Sequence, residues 1–221
     1  MSFNESNTEG KIGEQLYIDY MNDNNIKFAD VREDKLCQWL DIDFIILHNN
    51  HTKEDVLENI KNGNPSKRNI RQQNVGYAVE VKVDKVTHNR FTKKNGEISE
   101  GTGNLVYEVI SHNMPGCLAR SYADFILYIC IDTFENNTLL KKAYMINLYK
   151  WRKAMIDSGK DNTQNIQLKP LKYIQEKGKF EEEYVLNILH PVNKLLEIPN
   201  TITDFTTKLI KYFPKNLHIT K

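Results

Sequence analysis

The chain has 221 residues, 40% of them apolar, and a formal net charge of +1 at pH 7, which suits one globular domain and excludes a polycation. Its three cysteines (Cys37, Cys117 and Cys130) are odd in number and lack CxxC spacing, which argues against a disulfide framework or structural zinc site and for a reducing compartment. The N-terminus is polar and acidic, unlike a signal peptide, and the longest apolar run, Phe125 to Ile131, falls far short of the roughly 20 residues that span a bilayer, so a soluble cytoplasmic protein without a membrane partner is expected.

In chain order, the first element is a helix over 8–25. Ile12, Leu16, Tyr17 and Tyr20 fall at helical spacing, and the run Asn22-Asp23-Asn24-Asn25 ends it. Lys27 to Val31 reads as a short strand, and Asp41 to Leu47 as a strand that opens on acids. Residues 48–75 are polar, with a short helix at Asp55–Asn62 and then a basic loop through Asn74. Residues 77–83 form the next strand, 85–103 are basic and turn-like, and 104–112 read as strand or helix. Ala123 to Asp132 is a strongly apolar buried strand and Tyr144 to Leu148 another, followed by a helix over 149–157. Val185 to Leu189 is a late strand, and Thr203 to Phe213 reads as an amphipathic helix. This order predicts an α/β domain with a mixed central β-sheet flanked by helices. Residues 1–150 form the core and 151–221 an extension packed on it.

Charge is uneven along the chain. Residues 1–60 hold 13 acids and 5 bases, and the remainder 16 acids and 25 bases. Such asymmetry permits a nucleic-acid face. From 61 to 94 there are nine bases against two acids. Lys67, Arg68, Arg71, Lys85, Arg90, Lys93 and Lys94 are the candidates for phosphate contacts. A solvated loop kept soluble by charge is the plainer alternative for them.

The strand over 77–83 is the most informative segment. Val79, Val81 and Val83 fill one face, while Glu80 and Lys82 put a carboxylate and an ammonium on the other. Charge inside an apolar strand is costly unless it is paired, binds a metal or does chemistry. The upstream strand brings Asp41 and Asp43, both on one side; Asp43 is preferred because it directly precedes the apolar run Phe44–Leu47.

With Gly13-Glu14 on the first helix, Asp43 at a strand start and Glu80-Val81-Lys82 on the next strand, the chain resembles the PD-(D/E)XK nuclease superfamily. The segments Gly103–Glu108 and Ala123–Tyr128 are similar to phage and mobile-element members, and the likeness covers roughly residues 8–132. It departs from the family pattern in having Ile42, not Pro, before Asp43. The resemblance implies a restriction-endonuclease-like core and Mg²⁺-dependent hydrolysis of DNA, with Mn²⁺ able to substitute. Asp43, Glu80 and the Val81 carbonyl would hold the metal. Lys82 would orient or deprotonate the attacking water, and Glu14 would reach in from the helix. Hard Mg²⁺ prefers such oxygen ligands. Many enzymes of this type dimerise so that two sites address two strands, so a homodimer is an expectation. The ExK triplet alone is weak, since Glu33-Asp34-Lys35 also matches it.

Two other chemistries fall away. His88-Asn89 and His112-Asn113 lack the tight histidine spacing of an HNH finger. No Gly-rich loop ending in GK[ST] is present, so no nucleotide cofactor is expected. The competing functional class is a non-catalytic protein, such as a nucleic-acid binder or a phage-encoded inhibitor on a nuclease scaffold.

Overall fold

The computed structural model describes residues 3–48, 50–62, 75–85, 87–111, 114–116, 120–132, 138–159, 166–176 and 179–214. The basic loop carrying Lys67, Arg68 and Arg71 lies outside them, as do Cys117 and His112-Asn113.

The chain opens with α1 (Phe3–Asp23), then β1 (Phe28–Asp30), α2 (Lys35–Trp39), β2 (Phe44–Leu47), α3 (Lys53–Asn62) and β3 (Gly76–Asp84). A small hairpin of β4 (Phe91–Thr92) and β5 (Ile98–Ser99) precedes β6 (Asn104–Ser111) and β7 (Met114–Pro115). Next come β8 (Phe125–Asp132), β9 (Leu139–Asn147) and α4 (Leu148–Gly159). The chain closes with β10 (Ile166–Glu176), β11 (Lys179–Pro191), α5 (Val192–Leu196), β12 (Ile202–Asp204), α6 (Thr206–Leu209) and a 3₁₀ turn (Ile210–Tyr212). The main sheet has six strands in the order β1-β2-β3-β8-β9-β12. Only the pair β3–β8 within it is parallel; the other neighbours are antiparallel. A second sheet has the order β10-β11-β6-β7. The architecture is thus mixed α/β, with helices on both faces of a mixed sheet.

Strand alternation sorts the core. Phe44, Val79, Val81, Leu127, Ile129 and Ile131 point to one face, where Leu16, Tyr17 and Met21 of α1 and Phe205, Leu209 and Phe213 cover them. Ile45 and Ala78 point to the other face, beneath Cys37, Leu40, Val56 and Ile60 of the α2–α3 region. Further along that face, Ile126, Tyr128 and Cys130 meet Leu105, Trp151, Val192 and Leu195. Glu80, Lys82 and Asp84 share the parity of Ala78 and therefore interrupt this second face between two apolar clusters.

Several boundaries differ from the sequence reading. The strand over 41–47 begins only at Phe44, because Asp41 adopts a left-handed backbone (φ 49°) that ends the extended run. α2 is an unexpected helix inside a polar segment. Its N-cap is Asp34, whose carboxylate accepts the amides of Leu36 and Cys37. The expected helix over 203–213 is strand β12 followed by α6 and the 3₁₀ turn. Asp204 makes that change of direction by accepting the Thr206 amide at 2.9 Å. β10 is an unexpected strand: Ile166-Gln167-Leu168-Lys169 and Leu171-Lys172-Tyr173 alternate, but Pro170 interrupts the run.

Candidate active site

Phe44 pairs with Val79 and Ile45 with Ala78, so the antiparallel register sets Asp43 directly across from Glu80. The Asp43 amide closes this ladder by donating to the Val79 carbonyl at 3.0 Å. Beyond that point β2 has no residues to offer, because the chain turns away at Asp41. β3 runs on for four more residues, and among the described residues no strand pairs with its β2-side edge there. The Asp43 carboxylate takes over there, accepting the Val81 amide through Oδ2 at 2.8 Å. A strand residue directs its N–H and C=O to the same edge, so the Val81 carbonyl faces Asp43's side as well.

This open edge forms one wall of a cleft of about 500 Å³. Glu80, Lys82 and Asp84 line it from the strand and Lys85 from just beyond its end, Asp43 from just before β2, and Glu9 and Glu14 from α1. Five carboxylates therefore face two ammonium groups. The Lys82 ammonium sits 2.8 Å from Glu80 Oε1. Lys85 pairs with Glu9. Glu14 is held by Arg32 at 2.5 Å, and the same guanidinium grips Asp30 through Nε at 2.9 Å and Nη2 at 2.6 Å.

Asp43 carries the strongest electrostatic signature of the cleft. Burial, and then the charges of Glu80 and Glu14, push its pKa from 3.8 up to about 8; the Val81 amide and Lys82 only partly oppose them. Two facing acids that cannot both ionise comfortably are a site short of positive charge. That shortage is the property a divalent cation would relieve. Among the described residues no cluster of three or more His, Cys, Asp or Glu is close enough to hold a metal. The donors that converge are two carboxylates and one backbone carbonyl. This set fits Mg²⁺, which keeps several of its waters and takes one or two carboxylates, better than it fits zinc.

The remaining sequence candidates are placed as follows. Asp43, Glu80, Val81, Lys82, Glu14 and Lys85 all reach the one cleft. Asp41 does not: its carboxylate makes a two-pronged bond to Arg120 (2.8 and 2.9 Å), so of the two aspartates Asp43 is the one that lines the cleft. Arg90 is committed to the fully buried Asp132 at 2.6 Å. Lys93 pairs with Glu97 across the β4–β5 hairpin, and Lys94 is exposed at its turn. Arg32 and Glu9 were not foreseen. Arg32 follows β1 in a turn, so no strand periodicity signals its pairing with Glu14 and Asp30. Compared with protein-family models, curated proteins and solved structures, the chain matches none.

Proposed function

We propose that this protein is a Mg²⁺-dependent deoxyribonuclease that hydrolyses DNA phosphodiester bonds. The observation that carries the reading is the apposition of Asp43 and Glu80 across the end of β2, with Lys82 beside them in an open cleft. Asp43, Glu80 and the Val81 carbonyl would hold the cation. When bound, it would neutralise phosphate charge and lower the pKa of water at the site. Lys82 contributes a cation of the chain's own, able to bind a phosphate oxygen or orient the attacking water. Asp43 is fixed by the Val81 amide, so its carboxylate is set before any substrate arrives. Water would attack phosphorus in line, expelling the 3′ oxygen and leaving a 5′-phosphate. Cys37 and Cys130 are buried and form no disulfide with each other, in keeping with a cytoplasmic setting. Among the described residues, no helix is long and apolar enough to cross a membrane.

The test is direct. The protein is incubated with supercoiled, linear, single-stranded and four-way-junction DNA in Mg²⁺, Mn²⁺ or EDTA. Metal-dependent cutting that is lost in Glu80→Ala and Lys82→Ala supports the enzyme. Gel retardation without cutting identifies a non-catalytic binder, and full activity in a folded Glu80→Ala variant would falsify the site assignment.

A further inference from the structure

We infer that Lys82 occupies the cation site of the resting protein in place of the metal, and that a divalent cation displaces its ammonium from Glu80 into the cleft, where it becomes a phosphate ligand. This rests on the metal-dependent reading above and adds an order of events to it.

The Glu80 side chain is only 8% exposed and that of Lys82 34%. A carboxylate this buried needs a counter-charge. Lys82 supplies it at 2.8 Å, through Glu80 Oε1. Asp43, on the facing strand end, is engaged through the Val81 amide. A divalent cation lying between Asp43 and Glu80 needs the same Glu80 lone pairs that the ammonium uses. The two cations therefore exclude each other on that carboxylate.

The displaced ammonium is steered by its surroundings. The next acid on the same strand face, Asp84, has both oxygens engaged: Oδ1 accepts the Thr87 amide at 2.8 Å and Oδ2 the Tyr128 hydroxyl at 2.5 Å. The open direction is the cleft, which is where a phosphate would meet the metal. Metal and DNA phosphate then favour each other's binding, because each is better received once the Glu80–Lys82 pair has parted. Lys82 thus acts twice, as the counter-charge that keeps a buried acid folded and as a substrate ligand once released.

Lys85 offers an internal control. It lines the same cleft and carries the same charge, but its partner is Glu9 on α1. Removing it changes the field of the cleft and leaves the competition at Glu80 intact.

Ca²⁺ binding to the full chain is measured by calorimetry at pH 8 without nucleic acid, for the wild type, Lys82→Ala and Lys85→Ala. Lys82→Met stands in if the alanine variant does not fold by circular dichroism. The expected result is a Ca²⁺ affinity raised about fivefold or more on removing Lys82, with Lys85→Ala changed far less. In a second arm a short labelled duplex is titrated with and without Ca²⁺. The strengthening of DNA binding by Ca²⁺ is expected to shrink when Lys82 is removed. Equal Ca²⁺ affinity in wild type and the Lys82 variant overturns the inference while leaving the metal site standing. Equal gains in the Lys82 and Lys85 variants overturn it too, because a general field effect then suffices. No Ca²⁺ binding to any of the three overturns both this inference and the metal-dependent reading.

Discussion

Asp43 is where chemistry and stability pull apart. Its carboxyl titrates near pH 3.8 in an ordinary setting and near 8 in the cleft, because burial and the Glu80 charge both oppose ionisation. Between those values the folded chain keeps a proton that the unfolded chain has released. Stability therefore falls as pH climbs from about 4 to about 8 and levels off above. Asparagine can still accept the Val81 amide and has no charge to lose. In EDTA, Asp43→Asn is expected to match the wild type near pH 4 and to exceed it at pH 9 by on the order of a few kcal/mol. Urea unfolding across that range checks it, and parallel pH curves for the two proteins would remove the argument. Arg90 and Lys94 make a second contrast. Arg90→Ala strips the nearer partner from a fully buried Asp132, leaving Lys141 at 3.5 Å, and is expected to cost about 2–4 kcal/mol. Lys94→Ala is expected to leave the melting temperature unchanged while reducing the salt dependence of DNA binding by about one counterion. A charge in a basic run can be scaffold or interface, and what its side chain touches decides which.

At the scale of elements, the packing of α1 on β3 decides where Glu14 stands. Gly13 is the contact point: a Cβ there would lie 2.5 Å from Val83 Cγ2, 3.3 Å from Ile129 Cδ1 and 3.4 Å from Val81 Cγ1. Alanine in a helix is favoured over glycine by about 1 kcal/mol. Overpacking costs about 1–3 kcal/mol, and a valine methyl is not a flexible side-chain end that swings aside. Gly13→Ala is thus expected to lower the melting temperature and to weaken cleavage by lifting Glu14 off the cleft. Adding Val83→Ala should restore both, which differential scanning calorimetry and a plasmid-nicking assay can follow together. The same pair of elements shows what was legible in the sequence. Alternation of valine with Glu80 and Lys82 announced β3, its faces and two of the site groups, because a period of two depends on local spacing alone. The first helix was equally plain from Leu16, Tyr17 and Tyr20. The sequence favours Asp43 over Asp41 because Asp43 directly precedes Phe44–Leu47, whereas which aspartate lines the cleft depends on long-range partners. Arg120, 79 residues away, clamps Asp41, while the register with β3 places Asp43. The Glu14–Arg32–Asp30 chain was illegible for the same cause, since no local pattern reports which helix face meets which strand end.

For the whole molecule, the last residues bear on whether residues 1–150 could stand alone. β12 closes the main sheet by pairing Ile202 with Ile146 and Asp204 with Tyr144. Phe205, Leu209 and Phe213 then pack in the same cluster as Leu16, Tyr17 and Met21 of α1 and Val79 and Val81 of β3. The Phe205 ring meets Tyr20 edge-on with centroids 4.9 Å apart. On the other face Trp151, Val192 and Leu195 cover Ile126 and Tyr128. The C-terminal segment thus completes both faces of the sheet that carries Glu80 and Lys82. Burying one such side chain contributes about 1.5–3 kcal/mol, so losing Phe205, Leu209 and Phe213 together removes about 4.5–9 kcal/mol. A domain of ordinary stability has roughly 5–15 kcal/mol in all. A chain ending at residue 200 is therefore expected to lose cooperative unfolding and with it any metal-dependent activity. Near-ultraviolet circular dichroism and the breadth of the thermal transition read this out. A truncated chain that melted sharply and still cut DNA would show that α1 holds the β3 edge without help from the other end of the sequence.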